Sequence, residues 1–156
     1  MKTILYNMIR IMDKDNVLVL DKIKKIGWEG LTFPGGKLEP NESIYDSTIR
    51  EAKEETNFDV KNLEFNGIIH WIEDDLRSTG FLYTTRDFSG ELVENNVEGR
   101  LFFSNYEELK TMPGLSDSMN YIFYIYDGKC FEVVLYYENG KRIDEKSLYF
   151  KNYTNK

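Results

Sequence analysis

Residues 50–57 read Arg-Glu-Ala-Lys-Glu-Glu-Thr-Asn, which places three carboxylates, Glu51, Glu54 and Glu55, in about one helical turn. At about 100° per residue, Glu51 and Glu55 stand one above the other, and Glu54 is displaced to the same side by roughly 60–100°. Like charges at this spacing destabilise a helix by a few tenths of a kcal/mol. Two readings follow: a solvated charged face, or a site where a divalent cation offsets the repulsion. Lys53 points about 160° away from Glu55 and Arg50 lies about 100° round from Glu51, so neither base is expected to neutralise all three acids along the helix.

Upstream, residues 33–39 read Phe-Pro-Gly-Gly-Lys-Leu-Glu. Two glycines let backbone amides and carbonyls approach a phosphate or a metal without side chains intervening. Mg²⁺ takes hard oxygen ligands and keeps several waters, and carboxylates beside a free carbonyl supply that chemistry.

The spacing from Gly36 runs five residues to Glu42 and seven more to Arg50-Glu51-Ala52-Lys53-Glu54-Glu55-Thr56-Asn57-Phe58. This pattern resembles the Nudix box, Gly-x5-Glu-x7-Arg-Glu-U-x-Glu-Glu-x-Gly-U, where U is a bulky aliphatic residue. Gly36, Glu42, Arg50, Glu51, Glu54 and Glu55 match it; Ala52 and Phe58 are looser forms of U, and Asn57 replaces the closing glycine. Asn adopts left-handed geometry more readily than other residues with a side chain, so the helix is expected to end there.

The resemblance implies an α+β domain of the Nudix α/β/α sandwich type with a mixed central sheet. It also implies hydrolysis of a nucleoside diphosphate linked to another group, using Mg²⁺ or Mn²⁺ and an attacking water. Position by position, Glu51, Glu54 and Glu55 would ligate the metal with the carbonyl of Gly35. Arg50 would orient the acids with Glu42 paired to it, and Lys37 beside Gly36 would meet a phosphate. The group that takes the proton from water stays open among Glu54, Glu55 and Glu98, the last matching a loop glutamate often used by the family.

The stretches 28–43, which begins Trp-Glu-Gly-Leu-Thr-Phe-Pro-Gly-Gly, and 86–103, with Pro-Gly-Leu-Ser-Asp-Ser-Met (113–119), resemble the branch that hydrolyses oxidised purine nucleoside triphosphates such as 8-oxo-dGTP to monophosphate and pyrophosphate. Such relatives often carry Trp-Pro-Asp-Asp where this chain has Gly114-Leu115-Ser116-Asp117. Asp117 is therefore expected to read the purine edge, since a protonated carboxyl in a dry pocket both donates and accepts. Trp28, in the loop at 27–30, is expected to support the ring, and Phe33, His70, Trp71 and Phe81 are further rings that can stack on a base or fill the core. A rival reading is a Nudix domain that senses a nucleotide without hydrolysing it; intact Arg50, Glu51, Glu54 and Glu55 weigh against that.

The elements that must position these groups are legible in outline. Residues 3–12 and 16–21 read as a hairpin, 43–56 as a helix with Ser43 and Asp46 at its start, and 63–72, 80–88 and 100–103 as strands. Two helical segments, 106–112 and 116–128, precede a second hairpin turning at Asn139-Gly140. The length of 156 residues suits one domain over 1–156.

With 27 acidic against 20 basic residues, the net charge of −7 argues against a nucleic-acid polymer as partner, since that affinity rests on Lys and Arg displacing counterions. A small nucleotide partner then requires a cation between it and the carboxylates. Cys130 is the single cysteine, which excludes an intrachain disulfide and a multi-cysteine zinc site. No run approaches the roughly 18 apolar residues of a membrane helix. The apolar start is broken by Asn7 and Arg10 with no small-residue cleavage site, so no signal peptide, no membrane partner and a cytoplasmic location are expected.

Overall fold

The apolar run at the start forms β1 (Lys2–Asp13), which turns at Lys14 into β2 (Asn16–Lys22). The computed structural model describes residues 1–23 and 29–151. Only Met12↔Val17 and Asp13↔Asn16 join the two strands, so the expected hairpin forms at its base and then splays. Strand β1 has two edges to satisfy. One pairs in parallel with β7 (Leu76–Thr85) from Lys2 to Ile11, and the other takes β4 (Gly35–Lys37) at Tyr6–Met8. Strand β2 leaves to pair with β3 (Gly30–Thr32) and β9 (Gly99–Asn105). This divergence brings the glycine turn to the middle of the sheet.

Strands β6 (Glu64–Glu73), β10 (Cys130–Glu138) and β11 (Lys141–Tyr149) complete the order β11-β10-β6-β7-β1-β2-β3. The sheet is mixed because β1–β7 and β6–β10 are parallel and the other pairs antiparallel. Strands β5 (Asp59–Lys61) and β8 (Asp87–Ser89) pair separately. The final hairpin turns on Asn139 (φ 52°) and Gly140 (φ 77°), the two positive angles that a two-residue type I′ turn demands.

Helix α1 (Ile44–Thr56) begins where Ser43 Oγ accepts the Asp46 N–H at 2.9 Å. It ends at Asn57, whose φ of 69° is left-handed and whose N–H reaches Lys53 O, so asparagine closes the helix as the sequence suggested. The buried face is Ser47, Thr48, Ala52 and Thr56, small residues that let the helix sit close to the sheet. Ala52 packs with Ile9, Ile11, Leu18 and Leu20, and burying each of those four side chains stabilises the fold by about 1.5–3 kcal/mol. A larger residue at Ala52 would push the helix, and its carboxylates, off the sheet.

The opposite face is covered by α3 (Met119–Tyr126), with Ile122, Phe123 and Ile125 packed among Met8, Ile69, Leu82 and Leu135, and by the short α2 (Tyr106–Leu109). Both are shorter than the sequence suggested: Pro113 follows the first, and Gly128 at φ 75° follows the second. Helices on both faces of a mixed sheet make the expected sandwich. Cys130 is a buried core thiol, pushed up to about 11 by burial. Among the described residues no helix is long and apolar enough to cross a membrane.

Candidate active site

Where β4 pairs with the centre of β1, a cavity of about 570 Å³ opens, lined by Glu51 and Glu55 of α1 and by residues of β1, β4, β6 and β7. One end is polar and charged, with Glu51, Glu55, Glu98, Lys22 and the Gly35–Lys37 backbone. The other is apolar, with Met8, Phe33, Trp71 and Leu82. Gly80 also lines it; an added Cβ there would sit 3.1 Å from the Trp71 ring. Trp71 is anchored by its Nε1–H to Ser118 Oγ at 3.2 Å.

Arg50 reaches two of the three helix acids, leaving Glu55 unpaired by it as the helical wheel suggested. Its Nε and Nη2 grip both oxygens of Glu42 at 3.0 and 2.7 Å, while Nη1 reaches Glu51 Oε1 at 3.0 Å and Glu54 Oε2 at 3.1 Å. Nη2 also donates to Lys37 O at 3.1 Å, tying the helix to the glycine turn. Cβ directions separate Arg50 from the acids, but the long stem and planar fork let one guanidinium serve several carboxylates. The Arg50 hydrogen bond and the Glu39 N–H at 2.7 Å hold Glu42 below the usual carboxylate range, and Arg50 itself is raised by Glu42.

Glu55 has no such cation of its own. Burial, reinforced by Glu51 and Glu98, pushes its carboxyl up to about 8, although the Gly35 N–H at 3.1 Å and the nearby Lys22 oppose the rise. Glu51 is also raised, by burial first, with Arg50 acting against it. The Glu51 carboxylate lies directly against Gly36, where any Cβ would collide with it. That is a physical reason for glycine at 36.

The remaining positions divide. Glu98 lines the cavity with its carboxylate 3.5 Å from Lys22 Nζ, and Lys37 lines it as well. Glu54 is absent from the lining; its side chain is 57% exposed and paired with Arg50. Asp117 also stands outside the lining, more than half exposed, accepting from Tyr137 Oη at 2.6 Å and paired with Arg142 at 3.1 Å. The dry pocket expected around it is not found. Trp28 lies outside the described residues. Of the other rings, Phe33 and Trp71 reach the cavity, whereas Phe81 does not and His70 is held between Thr79 and Glu132.

Sequence reasoning missed Lys22, Asn7 and Asn96. Asn7 interrupts an apolar strand, which was a visible signal; it is 3% exposed, donates to Ser47 Oγ at 2.9 Å and lines the cavity. Lys22 and Asn96 carried no local signal.

Among the described residues no three Asp, Glu, His or Cys side chains form a group that could hold a metal ion by themselves. Mg²⁺ does not require one, because it binds through one or two carboxylates, waters and substrate phosphates. Glu51 and Glu55, both partly buried beside the Gly35–Gly36 backbone with an excess of negative charge, fit such an open site.

The chain is similar to several known proteins. An uncharacterised Nudix hydrolase of Bacillus subtilis, YvcI, is 32% identical over 104 residues, and the match spans 64% of each chain. A second Bacillus subtilis protein, provisionally named 8-oxo-dGTP diphosphatase YtkD, is 50% identical over 38 residues, 24% of each chain. The crystal structure of a MutT protein from Bacillus halodurans superposes with a TM-score of 0.79 at 26% identity, covering 92% of this chain and 97% of that one. The family model described as the NUDIX domain matches residues 3–121, and the chain belongs to the Nudix family.

Proposed function

We propose that this protein hydrolyses a nucleoside triphosphate to nucleoside monophosphate and pyrophosphate with Mg²⁺ or Mn²⁺, acting on oxidised purine nucleotides such as 8-oxo-dGTP in the cytoplasm. The observation that carries this reading is a single cavity with acids and lysines at one end and an aromatic, apolar slot at the other. A polyphosphate and a base need those two environments at that proximity. The 38-residue resemblance to YtkD supports the choice of base.

Glu51 and Glu55, with the Gly35 carbonyl, would hold the cation, and Glu54 would complete the set by leaving Arg50. When bound, the metal supplies charge neutralisation for the phosphate oxygens. Lys37 and Gly36 take a phosphate at the turn. Arg50 fixes Glu51 against Gly36 so that its oxygens face the cavity, and Glu42 holds Arg50 in place. Glu98, across the cavity, accepts the proton of the attacking water at its carboxylate oxygen. Phe33 and Trp71 receive the base, Trp71 stiffened by Ser118. Base discrimination is assigned to this slot and to Trp28; Asp117, engaged by Tyr137 and Arg142, is left out of it.

The test is pyrophosphate release from a panel of 8-oxo-dGTP, dGTP, dCTP and ADP-ribose with Mg²⁺, with Mn²⁺ and with chelator. Metal-dependent release with the highest kcat/KM for 8-oxo-dGTP is expected. Binding without turnover would favour a nucleotide-sensing domain, and preference for ADP-ribose would move the substrate elsewhere in the family.

A further inference from the structure

Loop 90–98 delivers Glu98 to the cavity, yet its own side chains are mostly exposed; Val97 is 84% exposed and cannot anchor it. Leu92 packs on the core and the backbone of 91 and 93 is tied to the end of α1, while next to Glu98 the anchor is Asn96. Asn96 Oδ1 accepts the N–H of Glu98 at 2.8 Å and of Gly99 at 3.0 Å, while its Nδ2–H donates to the backbone carbonyl of Glu55 at 2.9 Å. The Asn96 N–H also closes the turn on Gly99 O at 3.0 Å. A single amide thus joins two cavity-lining glutamates that lie more than forty residues apart in the chain.

The rest of Glu98 is held from the opposite direction. Its carbonyl accepts the Ile23 N–H at 3.2 Å, and its carboxylate faces Lys22 Nζ at 3.5 Å. Gly99 packs so closely on Asp21 O that no Cβ fits, which fixes the loop on β2. Near the C-terminal end of α1 the Glu55 carbonyl has no helical donor to receive, and Asn96 satisfies it. The link therefore sets the separation between the last turn of the helix and the loop acid. Asparagine suits the task because one short side chain offers a double acceptor and a donor together; Asp lacks the donor and Ala lacks both.

We propose that Asn96 is the positioning residue that holds Glu98 in register with Glu55 for the reaction. This inference rests on the reading of Glu98 as part of the catalytic site. Asn96 touches no reacting atom; its contribution passes through Glu98.

The test is a double-mutant cycle of Asn96→Ala and Glu98→Gln on the full chain with Mg²⁺ and 8-oxo-dGTP, joined by amide hydrogen exchange. Asn96→Ala should lower kcat about 10–100-fold with KM within about threefold, and in that background Glu98→Gln should cost under about threefold more. Asn96→Asp, which keeps the acceptors and loses the tie to Glu55, should fall between. Exchange at the Glu98 and Gly99 amides should quicken about tenfold or more in Asn96→Ala while Leu101 is unchanged. Two effects that multiply independently, a normal kcat in Asn96→Ala, or unchanged exchange would each overturn the proposal, even with a wild-type enzyme that turns over normally. The exchange measurement decides the positioning claim without any turnover, so failure of the proposed function is read separately, from the wild-type panel.

Discussion

Replacing Glu55 by Gln isolates the cost of a buried carboxylate. In the folded chain its pKa is pushed up to about 8 from an ordinary 4.5, chiefly by burial and then by Glu51. The native state therefore holds the proton more tightly than the unfolded chain. Between about pH 4.5 and 8 the folded form binds more protons at this site, so stability falls as pH rises through that window and levels off above it. Each tenfold difference in proton affinity is worth about 1.4 kcal/mol, which sets a ceiling of about 5 kcal/mol. Partial access of water to the cavity reduces the expected loss to about 2–3 kcal/mol. Glutamine carries no charge and its Oε1 can still accept the Gly35 N–H, so the variant should lack this slope. The assay is urea unfolding of metal-free protein with chelator at pH 5, 7 and 9. Wild type should lose about 2–3 kcal/mol relative to Glu55→Gln across that range, and added Mg²⁺ should restore part of the loss at pH 9 by neutralising the carboxylate. Parallel pH profiles for the two proteins would refute the reasoning, because Glu55 would then not be held against its charge.

Arg50→Lys should lower kcat about tenfold or more, since an ammonium cannot replace a fork that serves Glu42, Glu51, Glu54 and the Lys37 carbonyl together; steady-state kinetics at saturating Mg²⁺ would show it, and a near-normal rate would break the assignment. Asn57→Val should destabilise by about 1–2 kcal/mol and Asn57→Gly by under about 1 kcal/mol, because φ is 69° and Gly loses only the Nδ2–H bond to Glu91 O. Equal urea midpoints would contradict the left-handed terminus. Trp71→Ala should raise KM for every nucleotide triphosphate about tenfold, while Asp117→Ala should leave the ratio of kcat/KM for 8-oxo-dGTP and dGTP within about twofold; a collapse of that ratio in Asp117→Ala would place base reading back on the Asp117 loop.

The sequence by itself determined the helix that carries Glu51, Glu54 and Glu55. Its start at Ser43, its end at Asn57 and the same-side placement of Glu51 and Glu55 are local consequences of capping and a 3.6-residue period, and the box spacing from Gly36 identified the family. Both hairpin turns and the alternation of strands were legible for the same reason: turn chemistry acts over a few residues. Tertiary structure decided everything that depends on distance in the chain. The splay of β1 from β2, which carries the glycine turn to the sheet centre, depends on competition for the edges of β1, and no single segment records that. Arg50 serves Glu51 and Glu54 but not Glu55, as its place on the helix suggested, whereas its bond to the Lys37 carbonyl depends on the turn packed beside the helix. Asp117 was expected in a dry pocket, but Tyr137 and Arg142, from the distant last hairpin, claim it. Met8, Trp71, Leu82, Lys22 and Glu98 come to the cavity from β1, β6, β7, β2 and a loop, and Asn96 ties that loop to the Glu55 carbonyl. Their meeting is set by strand pairing and by packing on both faces of the sheet, long-range interactions that leave no periodic trace in the residues themselves.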